Sequence, residues 1–328
     1  MAEFGVAIVG GGGIARVHVA AAKAMHGRVG VVAVIDPNES ARQMTAQAAG
    51  AKGYATLEQF LNSPEAKQTR GVIVCTPPSV RIPIVEAALA IGMAVLSEKP
   101  IAHTLADAEA QAALADRYPG VVTALGYCHR FTPAIVEMKK RIAAGEIGEI
   151  SRFENTFAAP MLKLRNHWMS DPAVSGGGSF IDTGCHGLDL FLHLVGPAKV
   201  TSAIFHHAWP GRGESSATAL LRSETSGGVP GVVQSGWLEP ARFVVRLVGT
   251  RGSLSYDYDH ATELRFRTNE GREQKIAVET HELRFGRQLE AFVDAATGKP
   301  PSTPPASFAE GLIVAQQVED AQRLASQG

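Results

Sequence analysis

The sequence predicts an α/β fold in two parts, and three observations carry that reading. Up to about residue 125, short apolar strands alternate with longer amphipathic helices. Beyond it, several strand-like segments follow one another with short turns. The chain has 328 residues, 45% apolar and 19% charged, which is enough for two cores and too apolar for disorder. The expected division is 1–124, with a parallel sheet covered by helices on both faces, and 125–328, an α/β domain with a mostly antiparallel sheet.

In the first part, FGVAIVG (4–10), VVAVID (31–36), GVIVCTPP (71–78), AVLSEKP (94–100) and VVTALGY (121–127) read as strands. Helices are expected at 14–26, at 38–50 with Gly50 as a C′ cap, at 79–91 ended by Gly92, and from a Thr104 cap through Arg117. In the second part a helix near 133–144 leads to a strand at 149–158. A loop with Pro160, Pro172 and three glycines follows, then a helix beginning near Asp182. Strands are expected at 197–206, 216–224, 229–238, 241–248, 253–257 and 262–267, with an SGG turn at 226–228. Helices over 281–296 and 307–326 close the chain, joined by a proline-rich link.

Several classes of function are disfavoured by composition. A net charge of −1 argues against a general nucleic-acid or membrane-surface binder. No apolar run is long enough to span a bilayer, and the N-terminus lacks a basic region before its short apolar stretch, so a cytoplasmic location is expected. The three cysteines, Cys75, Cys128 and Cys185, are widely spaced with no CxxC pair, and are read as buried, inert thiols.

The strand 4–10 runs into GGGGIA (10–15), in which Gly10, Gly12 and Ala15 match G-x-G-x-x-[GA]. The match is weak alone, but here it ends a first strand and opens a helix. Gly10 permits the tight turn, Gly12 lets backbone approach a pyrophosphate, and Ala15 lets helix and strand pack closely. Gly13 and Ile14 begin the helix whose N-terminus faces the anion. Asp36 ends the second strand, roughly 20 positions on, where an acidic residue binds the ribose hydroxyls of a dinucleotide. A carboxylate there disfavours a 2′-phosphate, so NAD is expected over NADP. Arg16 and Arg42 lie nearby and keep NADP open. A bare glycine turn with a capping Asp is the competing reading.

Ligands of an open α/β sheet sit beyond the carboxyl ends of its strands. TPP (76–78) and EKP (98–100) fall there. Thr76 and Pro77 are expected to wall the cofactor, with Glu98 and Lys99 near its nicotinamide end. A lysine so placed binds a substrate hydroxyl and lowers its pKa. Read alone, Lys beside Glu is a solvated surface pair.

GGGSFIDTGCHGLDLF (176–191) supplies the remaining candidates. Asp182, His186 and Asp189 share one face of a helix that begins near Asp182. A histidine titrates near neutrality and can accept the proton of an alcohol. Asp182 handles protons, orients His186 or holds a substrate hydroxyl; Asp189 is read as structural. The preceding glycines are expected to let ligand and backbone approach. Capping by Asp182 and a core position for His186 are the bland alternatives. A zinc site built from Cys185, His186 and His193 is disfavoured, because adjacent residues face different sides of a helix and no further ligand has regular spacing, so no metal is expected. Arg165, His167 and Trp168 are second-tier candidates for substrate contact, and His129 and Arg130 are weaker ones. His206 and His207 receive no role.

These segments together resemble the glucose–fructose oxidoreductase / inositol dehydrogenase (Gfo/Idh/MocA) family of nicotinamide-dependent oxidoreductases. The resemblance rests on VGGGGIARVH (9–18), CTPPSVRIPIVEAALAIGMAVLSEKP (75–100), GYCHRFTP (126–133), GGGSFIDTGCHGLDL (176–190) and GTRGSL (249–254), in that order over nearly the whole length. It implies a Rossmann domain followed by an α/β domain with a large open sheet that often makes oligomer contacts, hence a homodimer or homotetramer. It implies oxidation of a sugar or polyol hydroxyl, or the reverse. It places Lys99 by the reacting carbon, matches Asp182 and His186 to the family's D-x-x-x-H segment, and puts Tyr127 at the mouth of the cleft. The chain departs from the pattern at Arg81, where many members carry His, and at Met93 and Ala94, where a Lys-His pair is common. Altered surface or cofactor-edge contacts are expected there. Redox-assisted elimination or glycoside cleavage with catalytic NAD, and a non-catalytic NAD or sugar sensor, are the alternative functions.

Overall fold

Every residue of FGVAIV, Phe4–Val9 (β1), is buried, as expected of a strand with both faces covered. It leads through the glycine loop into Gly13–Ala24 (α1), then Val29–Ile35 (β2) and Glu39–Ala49 (α2). Asn38 caps α2 by accepting from the Ala41 N–H, and Gly50 ends it in the left-handed region at φ 69°. There follow Lys52–Tyr54 (β3), Leu57–Leu61 (α3), Gly71–Val74 (β4), Arg81–Ala90 (α4), Ala94–Ser97 (β5), Leu105–Arg117 (α5) and Thr123–Leu125 (β6). The six strands are all parallel, in the order β3-β2-β1-β4-β5-β6. That order reverses at β1/β4, the switch point where doubly wound sheets bind ligands.

The structure, a computed structural model, describes residues 2–225 and 227–327. The chain forms two compact units. The first joins residues up to Ala102 with Ala106–Cys128 and Phe285–Gly311. The sequence expectation put everything beyond 124 in the second part. Instead Arg284–Ala296 (α9) supplies Leu289, Phe292 and Val293 to the core formed by Phe4, Val6 and Ile8 of β1 and Ala15, Val19 and Ala22 of α1. Phe4 and Phe292 meet edge to face at 6.3 Å.

The second unit holds His103–Leu105, His129–Arg284 and the chain from Leu312 on. Pro133–Ala143 (α6) precedes Ile150–Ala158 (β7) and the short Pro172–Ser175 (α7). Cys185–Leu194 (α8) continues directly from a π-helical turn over Phe180–Gly184, which begins just ahead of the expected start near Asp182. Ala198–His206 (β8), Ser216–Ser223 (β9), Pro230–Gly236 (β10), Arg242–Gly249 (β11), Gly252–Asp257 (β12), Glu263–Thr268 (β13) and Glu273–Ala277 (β14) complete an eight-stranded sheet ordered β14-β13-β12-β11-β7-β10-β9-β8. Only β7 and β10 run parallel; the other neighbours are antiparallel. Burial alternates along β9 and β12, so one face is packed and the other is open. On the packed face α8 lies close. A Cβ on Gly187 would stand 2.1 Å from Asn155 Oδ1 of β7 and 2.8 Å from Val233 Cγ1 of β10. Phe308–Ala325 (α10) ends the chain. Ser226 of the SGG turn lies outside the described residues. Among those described, no helix is long and apolar enough to cross a membrane.

Candidate active site

The glycine loop divides into two functional halves. Gly10 has φ 97°, and a Cβ there would lie 2.7 Å from the Cys75 carbonyl carbon, so the turn must be glycine for β1 to pass the end of β4. A Cβ on Gly11 would stand 2.8 Å from the Ala41 carbonyl oxygen. Around Gly12 and Gly13, in contrast, a Cβ would meet nothing within 4 Å. These two exposed glycines and the half-buried Ile14 leave open space at the start of α1, whose first turn has no side-chain cap. Uncapped N–H groups and the positive end of the helix dipole favour an anion there. Asp36 braces the loop: Oδ2 accepts from the Gly11 N–H at 2.6 Å and Oδ1 from the Asn38 N–H at 2.7 Å. Each oxygen keeps a further lone pair. Arg42 donates to the Asp36 carbonyl at 2.7 Å. Just past β4 and at the end of β5, Thr76 Oγ1 and Ser97 Oγ are buried without a protein hydrogen-bond partner. An open cradle, a braced carboxylate and orphaned hydroxyls fit a dinucleotide.

Glu98, expected near the nicotinamide end of a cofactor, is held in the interior. It is 4% exposed, its Oε1 lies 2.8 Å from Nε2 of the fully buried His18, and its Oε2 accepts from the Lys99 N–H at 3.2 Å. Gly126 makes room for it, since a Cβ there would fall 2.8 Å from Oε2. Arg81 is 3% exposed and donates to backbone carbonyls beyond both strands. Lys99 itself is half-buried, next to a cis peptide bond to Pro100. Pro77 is half-buried beside Thr76. Burial, reinforced by the Glu98 charge, pushes the Cys75 thiol well above its usual range, in keeping with an inert thiol. Tyr127, expected at the mouth of a cleft, is 1% exposed and belongs to the core.

In the second unit Asp182 lies within the π turn, 9% exposed, and accepts a hydrogen bond from Trp237 Nε1 at 3.2 Å. It is a polar group held in the interior and does not cap the helix. His186, 7% exposed, packs edge to face on His129 with ring centroids 4.6 Å apart. His129 Nδ1 is hydrogen-bonded at 2.6 Å to the hydroxyl of Tyr258, which also lies 3.3 Å from the Thr132 hydroxyl. Asp189 is structural: Arg130 grips it through Nε at 2.9 Å and Nη2 at 2.6 Å, with both side chains buried.

The glycines ahead of the π turn let backbone approach closely. A Cβ on Gly176 would lie 2.1 Å from the His103 carbonyl oxygen, and one on Gly178 2.1 Å from that of Glu214. Glu214 caps this segment, accepting from the Gly178 N–H at 2.9 Å and the Phe180 N–H at 2.7 Å. Burial raises its carboxyl pKa, and these N–H bonds partly offset the rise. Arg165, His167 and Trp168 sit on an exposed loop, where His167 and Trp168 have ring centroids 5.4 Å apart. Partial burial, helped by Lys163, lowers the His167 pKa, while Asp182 pulls it the other way.

Sequence reasoning missed His18, Trp237 and Tyr258 as partners of the candidate residues. His18 and Glu98 are far apart in sequence, as are Asp182 and Trp237, and no local pattern links either pair. Arg81 had a signal, the departure from the family pattern, but its burial did not.

Residues 4–125 match the family model described as the oxidoreductase family, NAD-binding Rossmann fold, and residues 135–255 match the GFO/IDH/MocA C-terminal domain. The chain is 32% identical over 243 residues to the rhizopine catabolism protein MocA of Rhizobium meliloti, covering 72% of each chain. It is 30% identical over 193 residues to the scyllo-inositol 2-dehydrogenase (NAD(+)) of Bacillus subtilis, covering 56% of this chain and 54% of that enzyme. Its fold is similar to that of GenD2 from gentamicin A biosynthesis, solved in complex with NAD: 26% identity, TM-score 0.85, and coverage of 100% of this chain and 95% of the other. The two domain matches and the 32% identity to MocA establish that the chain belongs to the Gfo/Idh/MocA family of oxidoreductases, with an NAD-binding Rossmann domain at its N-terminal end.

Proposed function

We propose that this chain is an NAD(P)-dependent dehydrogenase that oxidises a CH–OH group of a sugar, polyol or inositol-like compound, or reduces the corresponding ketone. The observation that carries this is a lysine, Lys99, at the carboxyl end of β5 in a domain whose Gly12–Gly13 cradle is open. Relatives named scyllo-inositol 2-dehydrogenase, D-xylose 1-dehydrogenase and levoglucosan dehydrogenase support the substrate class.

NAD, when bound, supplies the hydride acceptor. Lys99 donates a hydrogen bond to the reacting hydroxyl oxygen and stabilises the negative charge that develops as its proton leaves. His186 takes that proton. Asp182 accepts from a neighbouring substrate hydroxyl. Asp36 accepts from the adenosine ribose, which favours NAD over NADP. The exposed Trp168 offers an apolar face to a sugar ring, with Arg165 and His167 as hydroxyl donors. Association into a homodimer or homotetramer through the open face of the eight-stranded sheet is part of the same reading. It is supported by Ile204 and Leu220, exposed apolar residues on the paired strands β8 and β9. A cytoplasmic setting is part of the same reading, supported by three widely spaced cysteines with no CxxC pair.

A thermal-shift screen tests the reading. NAD should raise Tm, and one of a panel of inositols, D-xylose and levoglucosan should raise it further. The same compound should drive growth of the nicotinamide absorbance. Lys99→Ala and His186→Ala should each lower kcat by about 10²–10⁴-fold while NAD affinity stays within a few-fold. Full turnover in both variants would sink the assignment.

A further inference from the structure

Arg81 is the first residue of α4, and its guanidinium is buried. Such a group is always charged and carries five donors in a planar fork. Here Nε and Nη2 both donate to the Thr76 carbonyl, at 2.9 and 2.7 Å. Nη2 also reaches the Lys99 carbonyl at 3.4 Å, and Nη1 donates to the carbonyls of Glu98 and Pro100. One side chain thereby ties the segment just beyond β4 to three consecutive residues beyond β5. The other side of Lys99 is also held. Its N–H donates to Glu98 Oε2 at 3.2 Å, and Glu98 Oε1 is gripped by His18 at 2.8 Å. The lysine backbone is therefore fixed at its N–H by a carboxylate anchored on α1 and at its C=O by a guanidinium anchored on α4.

We propose that Arg81 is a positioning residue for Lys99. The carbonyl clamp sets where the amine stands, and the His18–Glu98 pair holds the opposite side of the same peptide. The inference rests on the reading of Lys99 as the group that binds the reacting hydroxyl. Placement of this kind matters because a reacting group displaced by about 1 Å loses on the order of 10²-fold in rate. A lysine at position 81 keeps the charge but offers a single ammonium with no rigid fork, so it cannot span both segments in one geometry. A neutral histidine has one ring N–H to give.

The experiment uses the full chain with Arg81→Met, Arg81→Lys, Lys99→Ala and the double variant Arg81→Met/Lys99→Ala. Hydrogen exchange read by mass spectrometry needs no turnover. The amides of Glu98 and Lys99 should exchange at least about tenfold faster in Arg81→Met, while β1 stays as protected as in the parent. Arg81→Lys should show the same change in smaller degree, and it serves in place of Arg81→Met should that variant fail to fold. With NAD and the panel compound that the parent turns over, Arg81→Met should lose about 10²-fold in kcat, with NAD affinity within about threefold. Added to Lys99→Ala, it should cost less than about a further threefold, because both changes remove one coupled contribution. Unchanged exchange at Glu98 and Lys99, or losses that multiply in the double variant, overturns the clamp and leaves the Lys99 reading standing. Full turnover in Lys99→Ala overturns both.

Discussion

The indole of Trp237 donates through Nε1 to Oδ2 of Asp182 at 3.2 Å, and Trp237 is fully buried. The carboxylate in the π turn is thus held by a residue just past the end of β10. Trp237 in turn stacks on Trp209, with centroids 6.0 Å apart and planes 23° from parallel. Trp237→Phe keeps most of the apolar volume and removes the donor. It should cost roughly 1.5–3 kcal/mol, the range for a hydrogen bond to a charged group. Urea unfolding followed by far-UV circular dichroism measures this without relying on indole fluorescence. A variant as stable as the parent would mean that the bond contributes nothing.

Much of the first unit was legible because its signals are local. The buried run 4–9, the turn at Gly10 and Asp36 at the end of β2 lie within one strand–helix–strand stretch. Two strands were not legible. Lys52–Tyr54 is three residues long, and Glu273–Ala277, an outer strand, reads EQKIA with one buried apolar residue. The candidate residues Asp182 and His186 were legible as a spacing, but their partners Trp237 and His129 arrive from other elements. Glycine spacing could not separate Gly12 and Gly13, which face open space, from Gly176 and Gly178, which face backbone carbonyls. That difference is set by tertiary approach alone.

Arg130 and Asp189 form an ion pair with side chains only 2% and 1% exposed. Removing one partner of such a pair leaves an uncompensated buried charge. Asp189→Asn should therefore destabilise the protein by about 3–5 kcal/mol, and Arg130→Met/Asp189→Leu should recover much of that loss. Chemical denaturation of the parent and both variants decides it. If the double variant proves less stable than Asp189→Asn, the pair is stabilising in its own right.

Asp36 accepts from two backbone N–H groups and keeps lone pairs for a ribose. Asp36→Ser should weaken NAD binding by about tenfold or more, the loss of one charge-assisted hydrogen bond of about 1.4 kcal/mol. NADP binding should fall less, because Arg42, 2.7 Å from the Asp36 carbonyl, remains beside the site and the repelling carboxylate is gone. Calorimetric titration with each cofactor gives the ratio. Equal losses for both would place the ribose away from Asp36.

His193 on α8 is half-buried, and its Nδ1 lies 3.2 Å from the Lys139 ammonium on α6. Burial, then the charges of Arg130 and Lys139, push its pKa from the ordinary 6.5 down to about 3. In the unfolded chain the imidazole takes up a proton near pH 6.5, whereas in the folded protein it stays neutral until about pH 3. Between those values the unfolded state binds more protons, so stability rises with pH across the window. The contribution is complete above pH 6.5 and is lost progressively as pH falls towards about 3. His193→Gln keeps an acceptor for Lys139 and removes the titration. The Tm difference between parent and variant should therefore shrink as pH is lowered from 7 to 5, the other titrating groups cancelling in the comparison. A difference that stays constant over that range would show that His193 titrates alike in the folded and unfolded chains.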